Sequence, residues 1–135
     1  MKIEDIKIVK EQPPFLLKIV SAGMRPQFDT IFPWSPNIFN PSGLDIPPDI
    51  FIHEVVHIRQ QGNNPEAWWQ RYITDKDFRF DQELEANQEQ YKFVCKVLKD
   101  RNQRVRALLK IANNLSGEVY GNLITTNKAM ELIKI

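Results

Sequence analysis

Phe51-Ile52-His53-Glu54-Val55-Val56-His57-Ile58-Arg59-Gln60 holds both histidines of a 135-residue chain, four positions apart, with a glutamate directly after the first. Four residues of α-helix turn through about 400°, so the two imidazoles leave one face about 6 Å apart along the axis. Nitrogens so placed can reach one Zn²⁺ at about 2.0–2.1 Å each. Glu54 stands about 100° further round, near enough to meet a water on the metal but badly placed to be a ligand. His-Glu-x-x-His on a helix is the arrangement a zinc hydrolase needs.

Working outward, Ile46-Pro47-Pro48-Asp49 starts this helix, with proline in the first turn and an acid at the positive end of the dipole, and Gly62 ends it. Phe51, Ile52, Val55, Val56 and Ile58 form one broad apolar side, opposite His53, Glu54, His57, Gln60 and Gln61. Upstream, residues 25 to 47 read as extended chain, with Phe28, Ile31, Phe32, Trp34, Ile38 and Phe39 punctuated by Pro26, Pro33, Pro36 and Pro41 and a turn at Asn40-Pro41-Ser42-Gly43. Proline confines such strands to sheet edges. An edge there could take a peptide by β-augmentation, or two short hairpin strands could simply cover the core. Residues 14 to 21 fit either a short helix or a buried strand.

Downstream, Asn64-Pro65-Glu66 starts a helix carrying Trp68, Trp69 and Tyr72 and stopping near Asp75. Adjacent tryptophans diverge by about 100°, so one is expected to face the cleft or the surface. A long helix follows over about residues 78 to 99, then a basic helix capped by Asp100 to about 114, a loop at 116 to 122, and a last helix capped by Thr126 to about 134. There is no internal repeat, and residues 1 to 135 read as a single domain.

Composition narrows the function classes. With 42% hydrophobic and 26% charged residues the chain reads as globular, and its formal charge of +1 predicts no general attraction to nucleic acid or anionic membrane. Cys95 is the single cysteine, so an internal disulfide is excluded. Neither a signal peptide nor an apolar run near the roughly 20 residues of a membrane span is present. The expectation is a cytoplasmic monomer acting on a peptide or protein, with no nucleic-acid or membrane partner.

A catalytic zinc needs a third protein ligand and an open fourth position. The carboxylates offered are Glu83 and Glu85 on the long helix. Taking Leu84 as zero at about 100° per residue, Phe80, Asn87, Tyr91, Val94, Cys95 and Leu98 form an expected buried stripe between about −80° and +20°. Glu83 falls at about −100°, at the edge of that stripe, and Glu85 at about +100°, among charged neighbours. Glu83 is therefore the expected ligand, with Glu85 in reserve. Asn87, one turn on, is placed to orient a ligand histidine by a hydrogen bond. Cys95, in mid-stripe, reads as a small core residue.

His53-Glu54-Val55-Val56-His57 followed by Glu83-Leu84-Glu85-Ala86-Asn87 resembles the gluzincin clan of zinc metallopeptidases, whose third ligand is a glutamate on a later helix. Ile46-Pro47-Pro48, Arg59-Gln60-Gln61, Trp68-Trp69 with Tyr72, and the Glu-x-Glu-Ala segment resemble a compact gluzincin-like group found in phage genomes, over about residues 30 to 98. Asn87 stands where the clan often has aspartate, which implies weaker polarisation of a ligand histidine. The resemblance implies an α+β, mainly helical, zincin-like domain with a small N-terminal edge sheet packed on the His-Glu-x-x-His helix. It implies one zinc ion on His53, His57 and Glu83, and peptide-bond hydrolysis with Glu54 as general base. If phage-encoded, the protein would work in the virion or the host cytoplasm. Tyr120 is the first candidate to stabilise the oxyanion, ahead of Tyr72 and Arg59. Two other readings compete: a zinc-binding but non-catalytic structural or interaction module, and nucleic-acid binding through the basic helix that begins Arg101-Asn102-Gln103-Arg104-Val105-Arg106.

Overall fold

A computed structural model describes residues 3–117 and 124–135. The fold is α+β and mainly helical, with one three-stranded sheet near the N-terminus. In chain order the elements are a 3-10 turn at Ile3–Asp5, β1 (Lys7–Val9), α1 (Leu16–Ser21), β2 (Phe32–Trp34), β3 (Asn37–Phe39), α2 (Pro48–Gln61), α3 (Pro65–Thr74), α4 (Lys76–Val97), α5 (Arg101–Leu115) and α6 (Thr126–Ile133). The segment that fitted either helix or strand is thus helical. Among the described residues no helix is long and apolar enough to cross a membrane.

The sheet order is β1-β3-β2, with β1 parallel and β2 antiparallel to β3. Proline-free β3 lies in the middle and β2, which contains Pro33, lies at an edge, as a missing N–H requires. The outer side of β2 is not left open. Gln61 and Trp69 both donate to the Pro33 carbonyl, each at 2.8 Å, and the Gln61 amide oxygen accepts from the Ser35 N–H at 2.7 Å. Side chains from α2 and α3 take the place of a further strand there, so β-augmentation at Pro33 is blocked.

The helices start where local chemistry says they should. Asn64, Asp75, Asp100 and Thr125 accept from the backbone N–H three residues on, capping α3, α4, α5 and α6. The cap of α6 is therefore Thr125, one residue before the expected Thr126. Gly62, at φ 59°, supplies the left-handed turn that releases the chain from α2. α4 packs chiefly on α2 and also on α3, α5 and α6.

Two apolar clusters result. An aromatic one joins Ile19, Phe32, Phe39, Trp68, Trp69 and Tyr72, and an aliphatic one joins Leu108, Ile111, Ala112, Leu115, Ala129 and Ile133. Both tryptophans are buried, so neither faces the surface, and both line a cavity beside the histidine pair, where one was expected to face the cleft or the surface. α3 has neighbours on two sides: Trp68 packs on His57, Tyr72 and Phe78, while Trp69 stacks on Trp34 of β2. Directions 100° apart can both be inward when a helix lies between two layers.

The face of α4 differs from expectation too. Its buried residues are Arg79, Glu83, Ala86, Asn87, Gln90 and Val94. On the scale used above these centre near about −110°, so Glu83 sits in the middle of the buried face and not at its edge. Phe80, Leu84 and Tyr91 are only partly buried, against the aliphatic cluster. α4 is covered on both sides, and the more deeply covered side is the polar one that meets α2.

Candidate metal centre

α2 and α4 together position the site. His53 and His57 come from successive turns of α2, and Glu83 comes across from α4. The ligand-capable atoms of His53, His57 and Glu83 all lie within 4.8 Å of one another, close enough to hold a metal ion. His53 Nε2 is 3.0 Å from Glu83 Oε2, His57 Nε2 is 3.1 Å from Glu83 Oε1, and the two Nε2 atoms are 3.1 Å apart. A tetrahedral centre with bonds of about 2.0–2.1 Å separates its ligand atoms by about 3.3 Å, close to the distance between the two Nε2 atoms and from each of them to its nearer Glu83 oxygen.

Each of these groups is held from behind. His53 Nδ1 lies 2.9 Å from Gln90 Oε1, and His57 Nδ1 lies 2.8 Å from Gln60 Oε1. The Tyr72 hydroxyl donates to Glu83 Oε1 at 2.7 Å. Trp68 packs on the His57 ring and donates through Nε1 to Gln82, the residue before Glu83. Buried Arg79 donates to the carbonyls of Tyr72 and Ile73, tying the end of α3 to α4. In this way the aromatic helix fixes the height of Glu83 against the histidines.

The electrostatics follow from burial and these contacts. Burial alone would raise the Glu83 pKa, but the two imidazoles outweigh it and hold the carboxyl well below its ordinary range, so it is an anion. Burial alone would lower His57, but Glu83, with smaller help from Gln60 and Glu85, outweighs it and the net shift is upward. Glu54 is different. It is buried, its Oε1 is 4.0 Å from His53 Nε2, and its Oε2 has no hydrogen-bond partner. Burial pushes its carboxyl up to about 8, against the lowering effect of His53 and with a further rise from Glu83. Among the described residues Glu54 Oε2 is the one buried side-chain oxygen or nitrogen without a hydrogen-bond partner, and leaving it so is costly.

Two cavities reach the triad. One, of about 200 Å³, has Ile31, Phe32, Trp68, Trp69 and Tyr72 in its wall. The other, of about 410 Å³, opens between α2, α4 and α5, with Asp49, Asn87, Gln90, Lys110 and Asn114 as polar residues of its wall. His53, Glu54 and Glu83 line both.

The remaining expectations distribute as follows. Glu85 is exposed, accepts from Gln60 Nε2 at 2.8 Å, and is not part of the cluster. Asn87 is buried and lines the larger cavity, but Gln90 and Gln60 take the Nδ1 positions that Asn87 was expected to serve. Cys95 is partly buried on α4, outside the cluster. Tyr72 is both a core residue and a partner of Glu83. Arg59 is exposed and absent from the walls of both cavities that reach the triad. Tyr120 lies outside the described residues. The signal for Gln60 and Gln90 was present in the sequence: each is three residues, or three residues beyond one turn, from a named site residue on its own helix. Their acceptors on the opposite helix were not.

No protein-family model, curated protein or solved structure matches the chain. The reading of the site therefore rests on its own geometry.

Proposed function

We propose that this protein is a zinc-dependent peptidase of gluzincin type. The observation that carries the reading is the buried Glu54 Oε2, unpartnered, beside a His53–His57–Glu83 cluster of metal-holding dimensions. Two imidazole nitrogens and one carboxylate oxygen form a donor set suited to zinc with a fourth position open. Zinc so held supplies a water of lowered pKa and a Lewis acid for the scissile carbonyl.

The chain's own residues supply the rest. Glu54 takes a proton from the attacking water and returns it to the leaving amine. Burial raises the Glu54 carboxyl to about 8 in the metal-free protein, and a cation on the triad beside it would favour the carboxylate form that a general base requires. Glu83, kept anionic and anchored by Tyr72, cannot drift into that role. The aromatic and polar cavities on either side of Glu54 allow a polypeptide to approach with one side chain in each, which supports action on an extended peptide.

Glu54→Gln tests this. Incubated with a mixed peptide library and read by mass spectrometry, the zinc-loaded parent should cleave, and the variant should keep its metal while losing about 10²–10⁴-fold in rate. Equal cleavage by parent and variant, or none by a zinc-loaded parent, would sink the peptidase reading. The second reading, a zinc-holding interaction module without catalysis, has one observation in its favour: the Tyr72 hydroxyl, a candidate oxyanion donor, is committed to Glu83. Metal retention with no cleavage by the parent is the outcome that module predicts.

A further inference from the structure

We infer that Gln90 and Gln60 are positioning residues that set the protonated nitrogen of both ligand histidines, and that Asp49 and Glu85 set the orientation of the two glutamines. The inference depends on the metal reading for its consequence but not for its geometry.

A glutamine amide has a donor end and an acceptor end, and at ordinary precision only its surroundings tell which is which. Here the surroundings decide. The Gln90 Nε2 faces Asp49 Oδ2 at 2.8 Å, and the Gln60 Nε2 faces both the Gln82 carbonyl at 3.0 Å and Glu85 Oε1 at 2.8 Å. Carboxylates and carbonyls only accept, so each of these ends must be the NH₂. Turning either amide over would press oxygen against oxygen. The other end of each glutamine is therefore the oxygen, and it lies 2.9 Å from His53 Nδ1 and 2.8 Å from His57 Nδ1. An amide oxygen also only accepts, so Nδ1 of both rings must carry a proton. The nitrogen left to lose its proton is Nε2, and both Nε2 atoms point at Glu83.

The two relays are reciprocal. Gln90 reaches from α4 to two residues of α2 that are one turn apart, Asp49 and His53. Gln60 reaches from α2 to Gln82 and Glu85, which flank Glu83 by one and two residues on α4. Each clamp crosses the interface in the opposite sense, on either side of the triad. Together they fix the register of the two helices that share the ligands, and they do so with neutral amides. A carboxylate in contact with an imidazole would push charge onto the ring; a glutamine orients it without doing so. Gln90 is 4% exposed, and both ends of its amide are served by protein partners.

The test reads the rings directly, by long-range ¹H–¹⁵N spectra of the imidazoles in metal-stripped and zinc-loaded protein, with zinc affinity measured by chelator competition. The expected parent spectra show a proton on Nδ1 of His53 and His57 in both forms. Gln90→Leu should remove the His53 Nδ1 proton from slow exchange and weaken zinc about 10–100-fold. Asp49→Asn, which lets the Gln90 amide turn over, should weaken zinc by up to about tenfold. A parent ring with a bare Nδ1 overturns the inference, as does parent-like zinc affinity in both variants. If Gln90→Leu fails to fold, Asp49→Asn, at a half-buried position in the first turn of α2, decides the matter. A parent that takes up no zinc would defeat the metal reading instead, and the stripped spectrum would still show whether the glutamines set the tautomer.

Discussion

The two apolar clusters have different jobs, and their chemistry shows it. The aromatic cluster carries three polar handles, and all three are in use: Trp69 Nε1 on the Pro33 carbonyl, Trp68 Nε1 on Gln82, and the Tyr72 hydroxyl on Glu83. Two of them end at Glu83 or its neighbour. The aliphatic cluster of α5 and α6 is built from leucine, isoleucine and alanine, with no side-chain hydrogen-bonding group to direct. Apolar area stabilises both, but only the aromatic one transmits position to the site. Amphipathic side chains are the means by which a small domain makes one core serve packing and placement together.

The contrast can be broken most forcefully at Leu115, fully buried in the aliphatic cluster. Leu115→Ala should cost about 2–5 kcal/mol in chemical denaturation. Zinc affinity of the folded protein should not change; a weakened site would mean that both cores transmit position. Next in size is Glu54, between the cores. In metal-free protein its folded pKa of about 8 lies above the ordinary carboxyl value of 4.5. The native state therefore holds a proton that the unfolded chain releases between those pH values, and stability falls as pH rises through that window. Glu54→Gln has no proton to release, so relative to the parent it should gain about 1–3 kcal/mol by pH 8 and little at pH 4. Melting curves of stripped protein at the two pH values decide this, and equal differences would refute the burial argument. The smallest effect is at Tyr72. Tyr72→Phe keeps the ring and removes one hydrogen bond to Glu83, so stability should drop by only about 1 kcal/mol while zinc weakens about tenfold. Parent-like affinity in that variant would reduce the aromatic core to packing alone.

The helices and their caps were legible because they are local. Asn64 and Asp100 start helices through their own side chains, and Gly62 ends one through its own backbone freedom, whereas Asp75, read only as the end of α3, also caps α4. The histidine pair was legible for the same reason, since four residues of helix set its geometry. Glu83 was picked by a face argument whose premise the structure changes. Apolar periodicity located the side of α4 that meets the aliphatic cluster, whereas the side that meets α2 is built from Arg79, Glu83, Asn87 and Gln90. Hydrophobic pattern does not reveal a buried face made of polar residues. The burial of both tryptophans was missed because a helix read by itself has one inside, and α3 has two. Asn87 was named as the orienting group because it lies one turn after Glu83 on α4, but reach across to α2 gives that role to Gln90.

By itself, then, the sequence determined that two imidazoles and a carboxylate share a helix, that a second helix offers a glutamate, and that the chain is α+β with its prolines at a sheet edge. Only the tertiary structure decided how those helices face each other. Gln90, Gln60 and Tyr72 acquire their roles from partners 37, 3 and 11 residues away in the chain. The third of these and the first depend on α3, α4 and α2 docking at one height, which is a property of packed side chains between elements and not of spacing within any one of them.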